Sequence, residues 1–292
     1  MRKTTRLRQL IEAPELLVMP GCHDVISGKI VEEAGFHAAQ VSGANLIACH
    51  YGVPDYSMVS MREMAEHSGR IARALDIPVM ADADTGFGNA VNAHFCVREF
   101  ERAGVAGMNL EDQVEPKRCG HLDGKEVLPF QEAVTKVRAA AEARADPDFV
   151  INARTDALAP LGYAEAVRRG NAFLDAGATM VFIEGANSIE VMEKAVRDID
   201  GPVAVNLVEG GKSPQDATFA QLQAAGIARV SLPSTAMQAQ IAALRNVFGK
   251  VRECGGIGGY AGLLCGFGVA QRLVGFGEVQ TLEREYLEID DE

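Results

Sequence analysis

The chain has 292 residues, 48% of them hydrophobic and 23% charged, with a formal net charge of −12 and no tryptophan. That is enough apolar material for one large core, at a length that suits a single α/β barrel as well as two domains, and the composition excludes a fibre or a disordered chain. The acidic balance, with no basic block, argues against a nucleic-acid partner, whose phosphates need a positive face. No apolar run approaches the roughly 18 residues that a membrane span needs. The basic start, Met1 to Arg8, lacks the apolar region and cleavage site of a signal peptide, so the expected compartment is the cytoplasm. Cys22, Cys49, Cys96, Cys119, Cys254 and Cys265 are scattered with no CxxC. That pattern suggests reduced thiols rather than a disulfide framework or a zinc site.

Leu7, Leu10 and Ile11 at helical spacing predict a leading helix over Arg2–Ala13. After it, short apolar runs alternate with amphipathic stretches. Strands are expected at Leu16–Met19, Ala38–Val41, Val79–Ala81, Gly107–Leu110, Phe149–Asn152, Met180–Ile183, Val203–Val205 and Arg229–Leu232. The intervening helices repeatedly end in an Ala-Gly pair (Ala34-Gly35, Ala103-Gly104, Ala176-Gly177, Ala225-Gly226), where glycine supplies the left-handed C-cap. This is the rhythm of βαβ units, and this many of them point to an α/β fold of the (β/α)8 TIM-barrel type. A doubly wound open sheet is the alternative, but Pro20-Gly21-Cys22-His23-Asp24, after the first strand, is not the glycine fingerprint such a sheet carries. A long helix over Thr235–Glu253 closes a barrel domain assigned to residues 1–253. Residues 254–292 read as a C-terminal helical arm that needs a partner surface: the glycines of Gly255–Gly259, a mixed apolar stretch to Phe276, a terminal helix at Thr281–Leu287 and an acidic tail.

A barrel gathers its active-site groups at the C-terminal ends of its strands. The residues closing the expected strands are Ser42-Gly43, Asp82 and Asp84, Glu111-Asp112, Arg154, Glu184, Asn206, and Ser231 with Ser234. Polar groups recur at one end, which favours a single polar pocket. Asp82-Ala83-Asp84-Thr85-Gly86-Phe87-Gly88 is the most pointed of these stretches. Two carboxylates at the tip of a buried strand are costly unless hydrogen-bonded, exposed or held on a cation. The plainer alternative is an exposed turn with Asp84 or Thr85 near a helix start. Two long loops are expected on the same face, one from Ser42 to Ser60 that includes His50 and Asp55, and one from Glu111 to Pro129. Loops of that length in a compact domain are usually lids or binding loops. In the second, Cys119 follows Lys117 and Arg118 and precedes His121. Positive neighbours favour the thiolate and make a cysteine a usable base or nucleophile; the alternative is a solvated basic loop with a chance cysteine. His37, His67 and His94 read as surface or packing residues, and His23 and His50 stay open.

Asp82 to Gly88, Leu110-Glu111-Asp112-Gln113 and Lys117-Arg118-Cys119-Gly120-His121 together resemble the isocitrate lyase/phosphoenolpyruvate mutase superfamily, over residues from about Val18 to Ser234. The cysteine loop is similar to the lyase branch, above all 2-methylisocitrate lyase and 2,3-dimethylmalate lyase. The resemblance implies a (β/α)8 barrel that holds Mg2+ (or Mn2+), in a homotetramer built as a dimer of dimers with a C-terminal helix exchanged between subunits. It implies that Asp84 binds the metal directly and that Asp55, Asp82 and Glu111 bind it through waters. Ser42, Gly43, Ala44 and Arg154 would receive the carboxylate and oxygen of a pyruvate or glyoxylate unit. Cys119 would be the acid/base residue, with Gly120 and His121 lining the site and Glu184 and Asn206 completing it; Arg154 and Glu111 join Cys119 in the catalytic set. The implied reaction is a retro-aldol cleavage of a 2-hydroxydi- or tricarboxylate to pyruvate or glyoxylate and succinate or propionate. A phosphonomutase of the carboxyphosphoenolpyruvate type, or an oxaloacetate decarboxylase or hydrolase, is the alternative on the same scaffold. A non-enzymatic ligand-binding barrel is a third reading, which the metal carboxylates and the thiol disfavour. Two departures bear on the substrate. Asn109 stands where the isocitrate and methylisocitrate lyases usually carry His. Val208 follows Asn206-Leu207 where those lyases supply a hydroxyl to a succinate carboxylate, which favours a smaller leaving half such as propionate.

Overall fold

Eight parallel strands form: β1 (Leu17–Cys22), β2 (Ala39–Val41), β3 (Val79–Asp82), β4 (Gly107–Glu111), β5 (Val150–Thr155), β6 (Met180–Ile183), β7 (Val203–Asn206) and β8 (Arg229–Leu232). Each pairs with the next in sequence, and β8 returns to β1, so the sheet closes into a barrel. The computed structural model describes residues 1–120 and 124–287. The expected (β/α)8 architecture is the observed one.

The leading helix forms over Lys3–Glu12. Its Leu7 and Ile11 are buried in one cluster with Leu17, Met19, Met80 and Val150, residues from the early parts of β1, β3 and β5. The helix therefore stoppers the N-terminal mouth of the barrel, and the opposite mouth is left for polar groups. Helices between the strands bury their apolar faces against the outside of the sheet. In Met61–Ala74, for example, Met64, Ala65, Ile71 and Ala72 are buried and Ser60 caps the start. Glycines at the predicted helix ends take positive φ: Gly35 86°, Gly104 94°, Gly177 99° and Gly226 79°. That is the conformation a residue with a Cβ adopts only at a cost.

Three expectations need correction. Strands β1, β3, β4, β5 and β7 run further toward their C-terminal ends than their apolar stretches do. The polar residues there keep the parallel ladder: Glu111 is in register with Arg154, and Asn206 with Ser231. The stretch from Ser42 to Ser60 is not one long loop, because Gly43–Tyr51 is a helix that buries Leu46 and Ile47 and ends at Gly52 with φ 68°. The terminal helix spans Phe276–Tyr286 rather than starting at Thr281, and a further helix, Phe267–Leu273, precedes it. The helix Thr235–Cys254 forms as expected. By contacts the chain divides into one unit of Met1–Met237 and a second that begins at Gln238. The acidic tail 288–292 lies outside the described residues. No described helix is long and apolar enough to cross a membrane.

Candidate active site

The tip of β3 turns sharply. Asp84 (φ 47°) and Phe87 (φ 59°) both sit in the left-handed region without being glycine, a conformation that costs roughly 1–3 kcal/mol per residue unless its surroundings impose it. The surroundings here are specific. The Asp84 N–H donates to Asp82 Oδ1 at 3.1 Å, the Gly86 N–H to the Ala83 carbonyl at 2.8 Å, and the Glu111 N–H to the Asp84 carbonyl at 2.9 Å. The turn is thus fixed to β4, and Asp84 is only 2% exposed. The following helix is capped by Asn89, whose side chain accepts from the Val91 and Asn92 N–H groups. Neither Asp84 nor Thr85 has the helix-start role that the plainer reading of this stretch offered.

Around Asp84 stand the other sequence-predicted metal residues. The Lys117 ammonium lies 2.5 Å from Asp55 Oδ1, 2.7 Å from Asp84 Oδ1 and 4.0 Å from Glu111 Oε1. All four side chains are largely buried. Asp82 adds its charge to Asp84 and to Glu111. Burial pushes the Asp84 carboxyl up to about 7, with Asp82 and Asp55 adding to the rise and Lys117 opposing it. Glu111 is pushed well above the usual carboxylate range, again chiefly by burial, against the pull of Arg154 and Lys117. Lys117 sits amid the group, and with it there no three or more His, Cys, Asp or Glu side chains among the described residues are arranged to hold a metal ion. Nevertheless, apart from the Lys117 contacts, Asp55 Oδ1, both oxygens of Asp84 and Glu111 Oε1 accept no hydrogen bond from the described residues. Buried carboxylate oxygens in excess of their donors are the donor set a hard divalent cation takes, and Mg2+ keeps several of its waters, so it needs few direct ligands. The residues fit such an ion.

Arg154 lies on the other side of Glu111, its register partner. Its Nε is 3.1 Å from Glu111 Oε2 and its Nη1 is 3.5 Å from Glu184 Oε2. Asn206 Nδ2 donates to the same Glu184 oxygen at 3.3 Å. Ser42 and Gly43 are buried at the start of the helix that follows β2. A Cβ on Gly43 would lie 2.6 Å from Asp82 Oδ2, so only glycine lets that backbone approach the acidic ring. Ala44 is the next residue, half-buried. Gly120 reaches the same place from the long loop, where a Cβ would lie 2.5 Å from the Glu184 carboxyl carbon. Cys119, half-buried, immediately precedes it. The structure therefore brings Asp55, Asp82, Asp84, Glu111, Arg154, Glu184, Asn206, Gly43 and Gly120 to one mouth of the barrel. His121 lies outside the described residues. His50 bonds instead to the His23 carbonyl at 2.9 Å and stacks on His67.

Several neighbours were not legible in advance. Lys117 counted as a positive neighbour of Cys119, whereas its charge is aimed at Asp55 and Asp84, and the Arg118 guanidinium lies over the Tyr56 ring. Asp112, grouped with Glu111 at the strand end, is a framework residue: it accepts from Thr155 Oγ1 at 2.8 Å, the Asp156 N–H at 2.9 Å and Arg169 Nη1 at 2.9 Å. Asp156 and Lys125 were missed. Strand period would have found Asp156, since a residue two positions beyond Arg154 returns to the same face. A cavity of about 640 Å3 adjoins Gly120 and Lys125, with Tyr163, Asn187 and Lys194 in its wall.

Comparison with known proteins follows the same lines. A family model for phosphoenolpyruvate phosphomutase matches residues 7–252. The 2,3-dimethylmalate lyase of Eubacterium barkeri is 37% identical over 98% of this chain and 99% of its own. The probable 2-methylisocitrate lyase 2 of Corynebacterium glutamicum is 41% identical over 85% of this chain and 80% of its own. A solved phosphonopyruvate hydrolase, in complex with oxalate and Mg2+, superposes with a TM-score of 0.89 at 36% identity, over 99% of this chain and 100% of that one. With that much of its length accounted for at these identities, the chain belongs to the isocitrate lyase/phosphoenolpyruvate mutase superfamily.

Proposed function

We propose that the protein is a Mg2+-dependent carbon–carbon lyase that cleaves a 2-hydroxydi- or tricarboxylate, of the 2-methylisocitrate or 2,3-dimethylmalate kind, to a 2-oxoacid and a smaller carboxylate. The observation that carries this is the meeting, at one barrel mouth, of a buried carboxylate ring, the Arg154 guanidinium and the backbone of the Cys119–Gly120 loop. Asp84, Asp82, Asp55 and Glu111 hold the cation. When bound, Mg2+ supplies a Lewis acid for the oxygen that becomes the oxoacid carbonyl. Arg154 and the backbone from Ser42 to Ala44 receive the carboxylate of the 2-hydroxyacid unit, and Glu184 and Asn206 complete that end of the pocket. The 2-hydroxyl gives its proton to a carboxylate of the ring. The bond between C2 and C3 then breaks, its electron pair passing to C3 and the carboxylate beside it. The Cys119 thiol protonates C3, so the smaller acid leaves with that proton. The covering loop keeps water from the carbanion.

The scaffold also hosts hydrolysis, as the phosphonopyruvate hydrolase shows, but the cysteine loop and the two named lyases support cleavage of a carbon–carbon bond. A small leaving half suits the β7 loop. Val208 offers no side-chain donor, and Ser213 is committed to the loop itself: its Oγ donates to the Asn206 carbonyl and accepts from the Val208 N–H, each at 3.1 Å. The test is 2-oxoacid release from 2-methylisocitrate, 2,3-dimethylmalate, isocitrate, citramalate and oxaloacetate, with Mg2+ and with EDTA. EDTA-sensitive release from one hydroxyacid is expected, reduced by about 10²–10⁴ in Cys119→Ser. Turnover of oxaloacetate alone, indifferent to that change, would sink the lyase reading.

Cation binding has a readout apart from turnover. The Asp84 carboxyl is raised by burial to about 7 from an ordinary 3.8. Its contribution to stability is therefore full at low pH and is lost as pH rises through the folded value. Mg2+ holds the ionised form, so the rise in melting temperature on adding Mg2+ is expected to be larger near pH 8 than near pH 6. An equal or reversed effect contradicts the assignment of Asp84 as a ligand.

The second unit exposes Phe248, Ile257, Phe267 and Val274, each more than half accessible. Exposed apolar side chains in this number support a subunit contact, and residues 254–292 acting as an exchanged arm fit a homotetramer. Light scattering of the purified protein is expected to return the mass of four chains; a monomer mass contradicts it.

A further inference from the structure

Behind Arg154 lies a buried chain of charges that joins it to the cysteine loop. Asp156, fully buried, grips the guanidinium at two points: Arg154 Nε donates to its Oδ2 at 2.8 Å and Nη2 to its Oδ1 at 3.1 Å. The same Oδ1 accepts from Lys125 Nζ at 2.7 Å. Lys125 is itself buried, and its ammonium also donates, at 2.7 Å, to the carbonyl of Gly120, the residue after Cys119. Asp156 is fixed from the far side by its own N–H, which donates to Asp112 Oδ1. Asp112 is held in turn by Arg169, whose Nη2 donates to the Leu128 carbonyl at 2.8 Å. The base of the loop is closed separately: the Val114 N–H donates to Glu126 and the Leu128 N–H to Asp112, beside an antiparallel bridge between Gln113 and Val127. Beyond that base, Lys125 fastens the loop at Gly120.

We propose that Lys125 and Asp156 are positioning residues that act as one latch: Asp156 orients the Arg154 guanidinium and, through the Lys125 ammonium, seats the loop carrying Cys119. This rests on the reading of Arg154 as carboxylate receptor and Cys119 as proton donor. One buried carboxylate then sets both the place where the substrate's carboxylate binds and the place from which the proton comes. A buried aspartate with two cationic partners is balanced, whereas losing the lysine strips one partner from the carboxylate and the side-chain tether from the Gly120 carbonyl.

The test labels thiols in the full-length protein with iodoacetamide and follows each cysteine by peptide mass spectrometry. Cys22 and Cys96, both fully buried, are internal controls for the fold. In Lys125→Met the labelling rate of Cys119 is expected to rise about tenfold, from loss of a charge-assisted tether, while Cys22 and Cys96 stay protected. Asp156→Asn keeps the shape and removes the charge, and is expected to move Cys119 in the same direction; Lys125→Arg, which keeps the charge, is expected to return labelling toward the parent rate. With a turned-over hydroxyacid, Lys125→Met is expected to lower kcat about a hundredfold with a smaller change in KM, since displacing a placed group costs rate more than binding. Unchanged Cys119 labelling in both Lys125→Met and Asp156→Asn overturns the latch. So does labelling of Cys22 and Cys96 that rises in step with Cys119, because the pair would then only hold the fold. Labelling needs no turnover, so a latch that behaves as expected in a protein that cleaves none of the acids overturns the lyase reading alone.

Discussion

Desolvated negative charge is the constraint on which this barrel mouth turns. Asp55, Asp84 and Glu111 are removed from water around a single lysine ammonium, with Asp82 close enough to add its charge. Burying carboxylates is unfavourable unless cations and donors meet them, and the raised pKa values of Asp84 and Glu111 express that cost. The positive groups that answer it, Lys117 and Arg154, are therefore constrained as tightly as the acids. Their positions in turn dictate where the long loop and the ends of β4 and β5 must lie.

The fold supplies that placement by register rather than by chance. Parallel pairing sets Glu111 directly beside Arg154. The positive-φ turn after β3 carries Asp84 back over the mouth, tied to β4 by the Glu111 N–H. Two glycines, Gly43 and Gly120, let main chain approach the acidic ring and Glu184 where any side chain would collide. The helix Lys3–Glu12 stoppers the other end with apolar residues, so the polar chemistry is confined to one face, as the barrel architecture requires.

Much of this was legible in the amino-acid order. Alternating apolar runs and Ala-Gly helix ends were sufficient for the barrel, because periodicity and left-handed caps are local properties. Polar residues closing the runs included Asp82, Asp84, Glu111, Arg154, Glu184 and Asn206, which meet at the mouth, whereas Asp55 and Gly120 reach it from the loops. The strand ends were read short because an apolar run stops where Glu111, Arg154 or Asn206 begins, although backbone pairing continues through them. Partnerships were not legible. Nothing local shows that Lys117 faces Asp55 and Asp84, which lie far from it in the chain, or that Asp112 props up the framework while its neighbour Glu111 faces the site. The helix Gly43–Tyr51 was hidden by its opening glycine and its short length.

On the proposed function, the acidic ring holds a divalent cation and Arg154 receives a carboxylate beside it. A crystal structure of the protein grown with Mg2+ and oxalate tests it most directly. The ion is expected against Asp84, within reach of Asp55, Asp82 and Glu111 through water, with an oxalate carboxylate against Arg154. An ion bound elsewhere, or oxalate seated away from Arg154, would contradict it.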